Sequence, residues 1–378
     1  MKKPLLLVEA LAVRNDSGLG NMARLFVASL RGLADAAEIA VIIPRAGGYR
    51  PGPHCSAIPV EAKPLRFWTQ ALFPLLIRKL RPTAVFCLGQ TLPRWRPGSR
   101  YALAIPDAGP LEDLGWPTSS HDPYNRRWLQ RMAPKAETLV TISEFTKGRL
   151  ADLLRVPRDR IRVALPVDPA LFGIVAGIDP DPPPSGVAAA PRVPGSRPPG
   201  EYFLSLGNIE PRKNYPGLIA AYAALKGRRP DAPPLYIAGH KAWGYAETLA
   251  AMAKYGVADS VRLTGYLSDA DRTAHLAHCT AYVSSSLYEG WGLPLFEALA
   301  WGRPAIYHEG TSQEEFARGA ALAVDCRDPV RLAAAMESLW WDPVERLRLE
   351  TAAAGVTPRF RGYDLEGALR AALLPLLG

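Results

Sequence analysis

"SLYEGWGLPLFEALAWGRPAI", Ser286 to Ile306, sets two glutamates, Glu289 and Glu297, around Gly290, Gly292 and Pro294. Tyr282–Ser285 before it reads as the end of a strand, and the glycines make a turn. Pro294 suits the first turn of a helix, where a missing N–H costs nothing. Leu295, Ala298 and Leu299 give that helix an apolar face, and Gly302 ends it. On this reading Glu289 lies in the loop and Glu297 in the first helical turn. The amides of Gly292 to Phe296 lack intrahelical acceptors and form an anion site at the positive end of the helix dipole. A carboxylate accepts several hydroxyl hydrogen bonds, so the stretch suits a ligand with both a diphosphate and sugar rings. The plainer alternative is that Glu297 complements the dipole and Glu289 is solvated.

A strand followed by a turn and a helix recurs along the chain. "LLLVEALAV", "EIAVIIP", "AVFCLG", "YALAIPD", "TLVTIS" and "IRVALPV" read as strands in the first half. "YFLSLG", "LYIAG", "VRLTGY", "AYVSSS", "PAIYHE" and "ALAVD" do so in the second. Helical patterns lie between, at 20–31, 66–80, 124–132 and 145–154. Such alternation predicts α/β architecture with parallel sheets covered on both faces. The proline-rich "GIDPDPPPSGVAAAPRVPGSRPPG", Gly177 to Gly200, reads as an extended linker. The expected division is a first doubly wound domain over 1–175, a linker over 176–200 and a second such domain over 201–361, with a cleft between them. The amphipathic segment 362–378 can pack on either domain, the first included.

The chain has 378 residues, 48% of them hydrophobic and 21% charged, with a formal net charge of +9. That length implies two domains. No run of 18 apolar residues is present, and "MKKPLLLVEALAVRND" reads as a buried first strand interrupted by Glu9 rather than a signal peptide. The four cysteines are scattered without a CxxC, which favours a reducing, cytoplasmic setting and no structural zinc. Residues 1–100 hold fifteen Lys and Arg against five Asp and Glu. Such a basic first domain suits an anionic membrane surface or an acidic substrate. The charges are dispersed and no zinc finger or RNP-like motif is present, so nucleic acid is not expected.

Within "LGNIEPRKNYPGL", Arg212 and Lys213 fall in the loop after a strand, where a guanidinium fork beside an ammonium suits a diphosphate; two solvated loop cations is the alternative. "NDSGLGNMARLF", Asn15 to Phe26, opens a helix after the first strand, and Gly18 and Gly20 let a phosphate or sugar approach the backbone. Ala23 holds the third glycine position, so dinucleotide binding is not the reading. "HLAH", His275 to His278, reads as surface or satisfied histidines. "DAD" at Asp269–Asp271 reads as a helix cap, and "DPD" at Asp179–Asp181 falls in the linker. Neither makes a metal site, and no metal ligand is assigned. "RFWTQALFPLLIRKLRP", Arg66 to Pro82, combines an apolar face with Arg66, Arg78, Lys79 and Arg81. It reads as a packed helix whose basic end can touch lipid.

Taken together, these segments resemble the retaining glycosyltransferases of family 4, with the GT-B fold of two Rossmann-like domains, and within them the bacterial mannosyltransferases. The resemblance implies that Arg212 and Lys213 bind a donor diphosphate, that Glu297 holds ribose hydroxyls and that Glu289 holds the transferred sugar. It places Gly292, Leu293, Pro294 and Leu295 at the phosphate end, Gly265 and Tyr266 beside the base, and Asp107, Ser143 and Glu144 on the acceptor or sugar side. It implies no cofactor, a nucleotide-sugar donor with GDP-mannose favoured, and a glycan or lipid-linked acceptor at the inner face of the plasma membrane. The family usually has a histidine before the first-domain aspartate. Pro106 stands there in this chain, with His121–Asp122 as a substitute in another loop. A nucleotide-sugar epimerase and a non-catalytic glycan- or nucleotide-binding protein are the competing readings.

Overall fold

The computed structural model describes residues 3–14, 18–114, 123–167 and 201–378. The linker expected at 176–200, with Asp179 and Asp181, lies outside the described residues. So do Asn15, Asp16, Ser17, His121 and Asp122. The chain divides into two compact units, one of residues 1–113, 120–167 and 363–378, the other of 114–119 and 168–362.

The first unit is built on seven strands, β1 (Leu5–Glu9), β2 (Glu38–Pro44), β3 (Ser56–Val60), β4 (Ala84–Cys87), β5 (Arg100–Ala104), β6 (Thr138–Thr141) and β7 (Ile161–Val163). Their order is β3-β2-β1-β4-β5-β6-β7, and every pairing is parallel. Inner strands such as β4 are buried along their whole length. Both faces are covered, so their sequences run apolar instead of alternating. β3 escapes the sequence reading because it is a largely exposed edge strand containing Pro59, and proline is tolerated only at such an edge.

The helix expected at 66–80 is present as Leu65–Phe67, a wider π turn at Trp68–Leu72, and Phe73–Leu80. The C-terminal helix, Leu365–Leu373, belongs to this unit. Arg370 Nη1 lies 2.5 Å from both the Gly32 carbonyl and Asp35 Oδ1. The closeness is possible because Gly32 has no side chain: a Cβ there would meet Glu366 Cβ at 3.0 Å.

The second unit has six strands, β8 (Phe203–Leu206), β9 (Leu235–Ala238), β10 (Val261–Gly265), β11 (Ala281–Ser284), β12 (Ala305–His308) and β13 (Leu322–Val324). They run parallel in the order β10-β9-β8-β11-β12-β13. Phe203, Ile237, Val283 and Ile306 of the sheet pack with Leu218, Tyr222, Leu332, Met336 and Leu339 in one core. The order runs outward from β8 in one direction and restarts at β11 in the other. The switch point is therefore the gap between β8 and β11, where ligands of such sheets bind beyond the strand ends.

Candidate active site

Two crossover loops meet at that switch point. β8 ends at Leu206, and the chain turns at Gly207 (φ +147°) into the short helical turn Pro211–Lys213 before the helix Tyr215–Arg228. Glycine suits 207 because side-chain-bearing residues rarely adopt that φ; a Cβ would also stand 2.6 Å from Lys213 Cε. β11 ends at Ser284 and leads through Glu289 to the helix Leu293–Ala300. The Leu287 N–H donates to the Arg212 carbonyl at 2.9 Å, and the Ser285 hydroxyl donates to the Lys213 carbonyl at 2.7 Å. These bonds fix the cations against the carboxylate. Lys213 Nζ lies 2.5 Å and Arg212 Nη1 3.0 Å from Glu289 Oε1. Arg212 Nε also bonds Glu210 Oε2 at 2.9 Å.

Lys213 and Glu289 are both buried. Burial pushes the Glu289 pKa up, but Arg212 and Lys213 outweigh it and hold it at about 2. Burial pulls the Lys213 ammonium down, against Glu289, which favours its charge. Glu289 is therefore a carboxylate at every physiological pH, and its cations are already engaged. The solvated alternative for Glu289 and Lys213 does not hold.

The helix Leu293–Ala300 starts from Gly292 in a left-handed conformation (φ +93°), with Pro294 in its first turn as expected. Two expectations change. Glu297 sits in the second turn, with no acidic residue in the first, so it is not an end-of-helix dipole partner. Its oxygens accept from Arg272 Nη1 at 2.8 and 3.0 Å, and burial raises its pKa against that pairing. The amides of Leu295 and Phe296 already donate to the Gly292 carbonyl at 3.0 and 3.2 Å. Pro294 has no N–H, so only the Leu293 and Gly292 amides are left of the anion site expected from the sequence.

Residues not singled out in the sequence support this loop. Trp291 is buried against Phe316 (ring centroids 4.9 Å) and Phe360 (5.9 Å). The Ser312 hydroxyl donates to the Glu289 carbonyl at 2.7 Å, and the Gln313 amide bonds the Ser284 hydroxyl. Arg272 and Gln313 come from distant segments, and nothing in the sequence marked them beforehand.

Gly265 turns the chain with φ +77° at the end of β10. Tyr266 beyond it is exposed and stacks on His240, which follows β9, with ring centroids 4.6 Å apart. The cap of the helix Asp269–His278 is Ser268, which accepts from the Asp271 N–H, so "DAD" lies inside the helix. His275 is buried, with Nδ1 2.7 Å from the Asp271 carbonyl.

The remaining predicted residues belong to the first unit. Gly18 and Gly20 open the helix Gly18–Ser29. Asp107 Oδ1 accepts from the Gly109 N–H at 3.0 Å. Ser143 is a buried helix cap that accepts from the Thr146 N–H, and Glu144 beside it is exposed and pairs with Lys147 at 3.3 Å. The switch point of this sheet, between β1 and β4, holds the buried Glu9. Its oxygens accept from the Leu11 and Gly89 amides at 3.0 Å each, and burial raises its pKa. In the sequence, Glu9 showed only as an interruption of an apolar run.

Among the described residues no cluster of His, Cys, Asp and Glu has the make-up of a metal site, and no helix is long and apolar enough to cross a membrane.

Residues 188–355 match the family model for glycosyl transferases group 1. The chain is 28% identical over 215 residues to the O-antigen chain mannosyltransferase B of Escherichia coli, covering 54% of this chain and 52% of that one. It is 30% identical over 243 residues to the serotype-specific mannosyltransferase WbdA of Escherichia coli, covering 58% and 28%. The chain thus spans about half the length of the first relative and less of the second. Among solved structures, a sucrose-phosphate synthase of Thermosynechococcus elongatus superposes with a TM-score of 0.73 at 17% identity, covering 99% of this chain and 98% of that one. Anabaena HepE in complex with UDP and glucose gives 0.71 at 13%, covering 98% and 100%. Residues 188–355 thus resemble a glycosyl transferases group 1 domain, and the two parallel sheets share the GT-B fold of these solved structures.

Proposed function

We propose that the protein is a retaining glycosyltransferase that moves a hexose, mannose from GDP-mannose, onto a glycan or lipid-linked acceptor in polysaccharide synthesis. The observation that carries this reading is the Arg212–Lys213–Glu289 cluster at the switch point of the second sheet. When the sugar–phosphate bond breaks, its electron pair passes to the leaving diphosphate. Arg212, Lys213 and the Leu293 amide are the groups that stabilise that charge, in a site that the two loops hold in place. Glu289 then faces the transferred sugar, and Glu297, steadied by Arg272, faces the ribose. In the retaining course the acceptor hydroxyl attacks the face that the leaving group departs from and gives its proton to the departing phosphate. The mannosyltransferase relatives support the sugar. The UDP complex of HepE supports a nucleoside diphosphate as the leaving group.

A peripheral contact with anionic membrane belongs to the same reading. Leu65, Phe67, Leu72 and Leu75 are exposed on the helical stretch that carries Arg66, Arg78 and Lys79. Incubating the protein with GDP-mannose, UDP-glucose or UDP-galactose and a membrane extract as acceptor source, in EDTA, tests the assignment. Sugar from GDP-mannose is expected to enter acceptor with its anomeric configuration kept. Release of free sugar without any acceptor product, or loss of transfer in EDTA, would overturn it.

A further inference from the structure

Outside the proposed donor site, Arg94, Arg127, Trp128, Arg131, Met132 and Lys135 line a concavity of about 350 Å³ in the first unit. Arg127, Arg131 and Lys135 follow one another at four-residue intervals, along the helix Pro123–Met132 and into the turn Ala133–Lys135. That spacing puts like charges side by side, where they repel. Among the described residues, no acidic residue lines the concavity and none of the four cations enters an ion pair. The helix dipole accounts for cations at the end of a helix. It does not account for Arg94, which arrives from the crossover between β4 and β5. Trp128 packs against the core of the unit and gives the concavity a firm wall. Three guanidinium forks and an ammonium, held close without counter-charge, match the oxygens of a phosphoryl group.

We propose that this concavity binds a phosphate or diphosphate group. The group comes from a soluble phosphate ester or from a phosphate-bearing lipid at a membrane surface. The site lies in the unit that does not contain Arg212 and Lys213, and it stands whether or not the donor reading does.

Arginine footprinting tests it on the unaltered protein. Phenylglyoxal modification is followed by peptide mass spectrometry, alone, with inorganic pyrophosphate, with phosphatidylcholine vesicles, and with the same vesicles containing phosphatidic acid. Modification of Arg94, Arg127 and Arg131 is expected to slow severalfold, while exposed Arg155 of the same unit is unaffected. Protection by pyrophosphate alone assigns the soluble source, and protection by the phosphatidic acid vesicles but not the neutral ones assigns the lipid. Unchanged modification of all three arginines under both phosphate probes would overturn the proposal. Arg212 reports the donor site in the same spectra, so failure of one site is distinguishable from failure of the other.

Discussion

Glu289 is an anion that the protein buries and then holds with two cations. Removing one partner from such an arrangement leaves uncompensated charge in a poorly solvated place. Glu289→Gln is therefore expected to lower the unfolding free energy by about 3–5 kcal/mol, read from urea titration. The same change frees Arg212 and Lys213, so affinity for a bare nucleoside diphosphate should hold or rise while transfer falls. Weaker nucleotide binding in that variant would contradict the arrangement.

Its pH dependence has a definite sign. The folded pKa of about 2 lies below the ordinary 4.5, so the stabilisation is complete above about 4.5 and is lost as pH falls toward 2. The stability difference between wild type and Glu289→Gln should stay level from neutral pH to about 4.5 and then shrink. Urea titrations at several pH values check it, and a difference independent of pH would count against the ion pair. At this scale the sequence marked Arg212, Lys213, Glu289 and Glu297 because turn chemistry put them in or just beyond loops at strand ends. It did not mark Arg272, Gln313 or His240, whose partners Glu297, Ser284 and Tyr266 lie 25 or more residues away and are met through the fold alone.

The helix Leu293–Ala300 depends on how it starts. Gly292 has φ +93°, and a Cβ there would meet Gln313 Nε2 at 2.4 Å. Gly292→Ala must strain the turn or displace Gln313 from Ser284, at a cost of about 1–3 kcal/mol. Urea unfolding should show that loss, together with weaker nucleotide binding; a neutral substitution would mean that the loop is not held as described. Proline and glycine made this start legible in the sequence. The extent of the helix was less so: Glu297 was expected a turn too early, because Gly292 takes the cap position that the pattern left open. β3 was invisible for another reason. Its apolar run, Ala57–Val60, is short and contains Pro59, which argues against a strand.

For the molecule as a whole, the alternation of strands and helices was enough to predict two parallel sheets. The return of residues 363–378 to the first unit was not, since an amphipathic helix shows which face it buries and not what buries it. The uneven charge makes a testable statement at this scale. With each basic residue near an anionic surface contributing on the order of 1 kcal/mol, the protein should float with anionic vesicles at low salt and be released at high salt. Equal recovery with neutral vesicles would rule out the electrostatic contact.

The central claim is that the β8–β11 switch point holds a nucleoside diphosphate through Lys213. Calorimetric titration of GDP and UDP into wild type and Lys213→Ala, each shown folded by circular dichroism, tests it most directly. Loss of a charged hydrogen bond worth roughly 1.5–3 kcal/mol should weaken binding at least about tenfold in the variant. Equal affinity in the two proteins, or no binding of either nucleotide to the wild type, would contradict it.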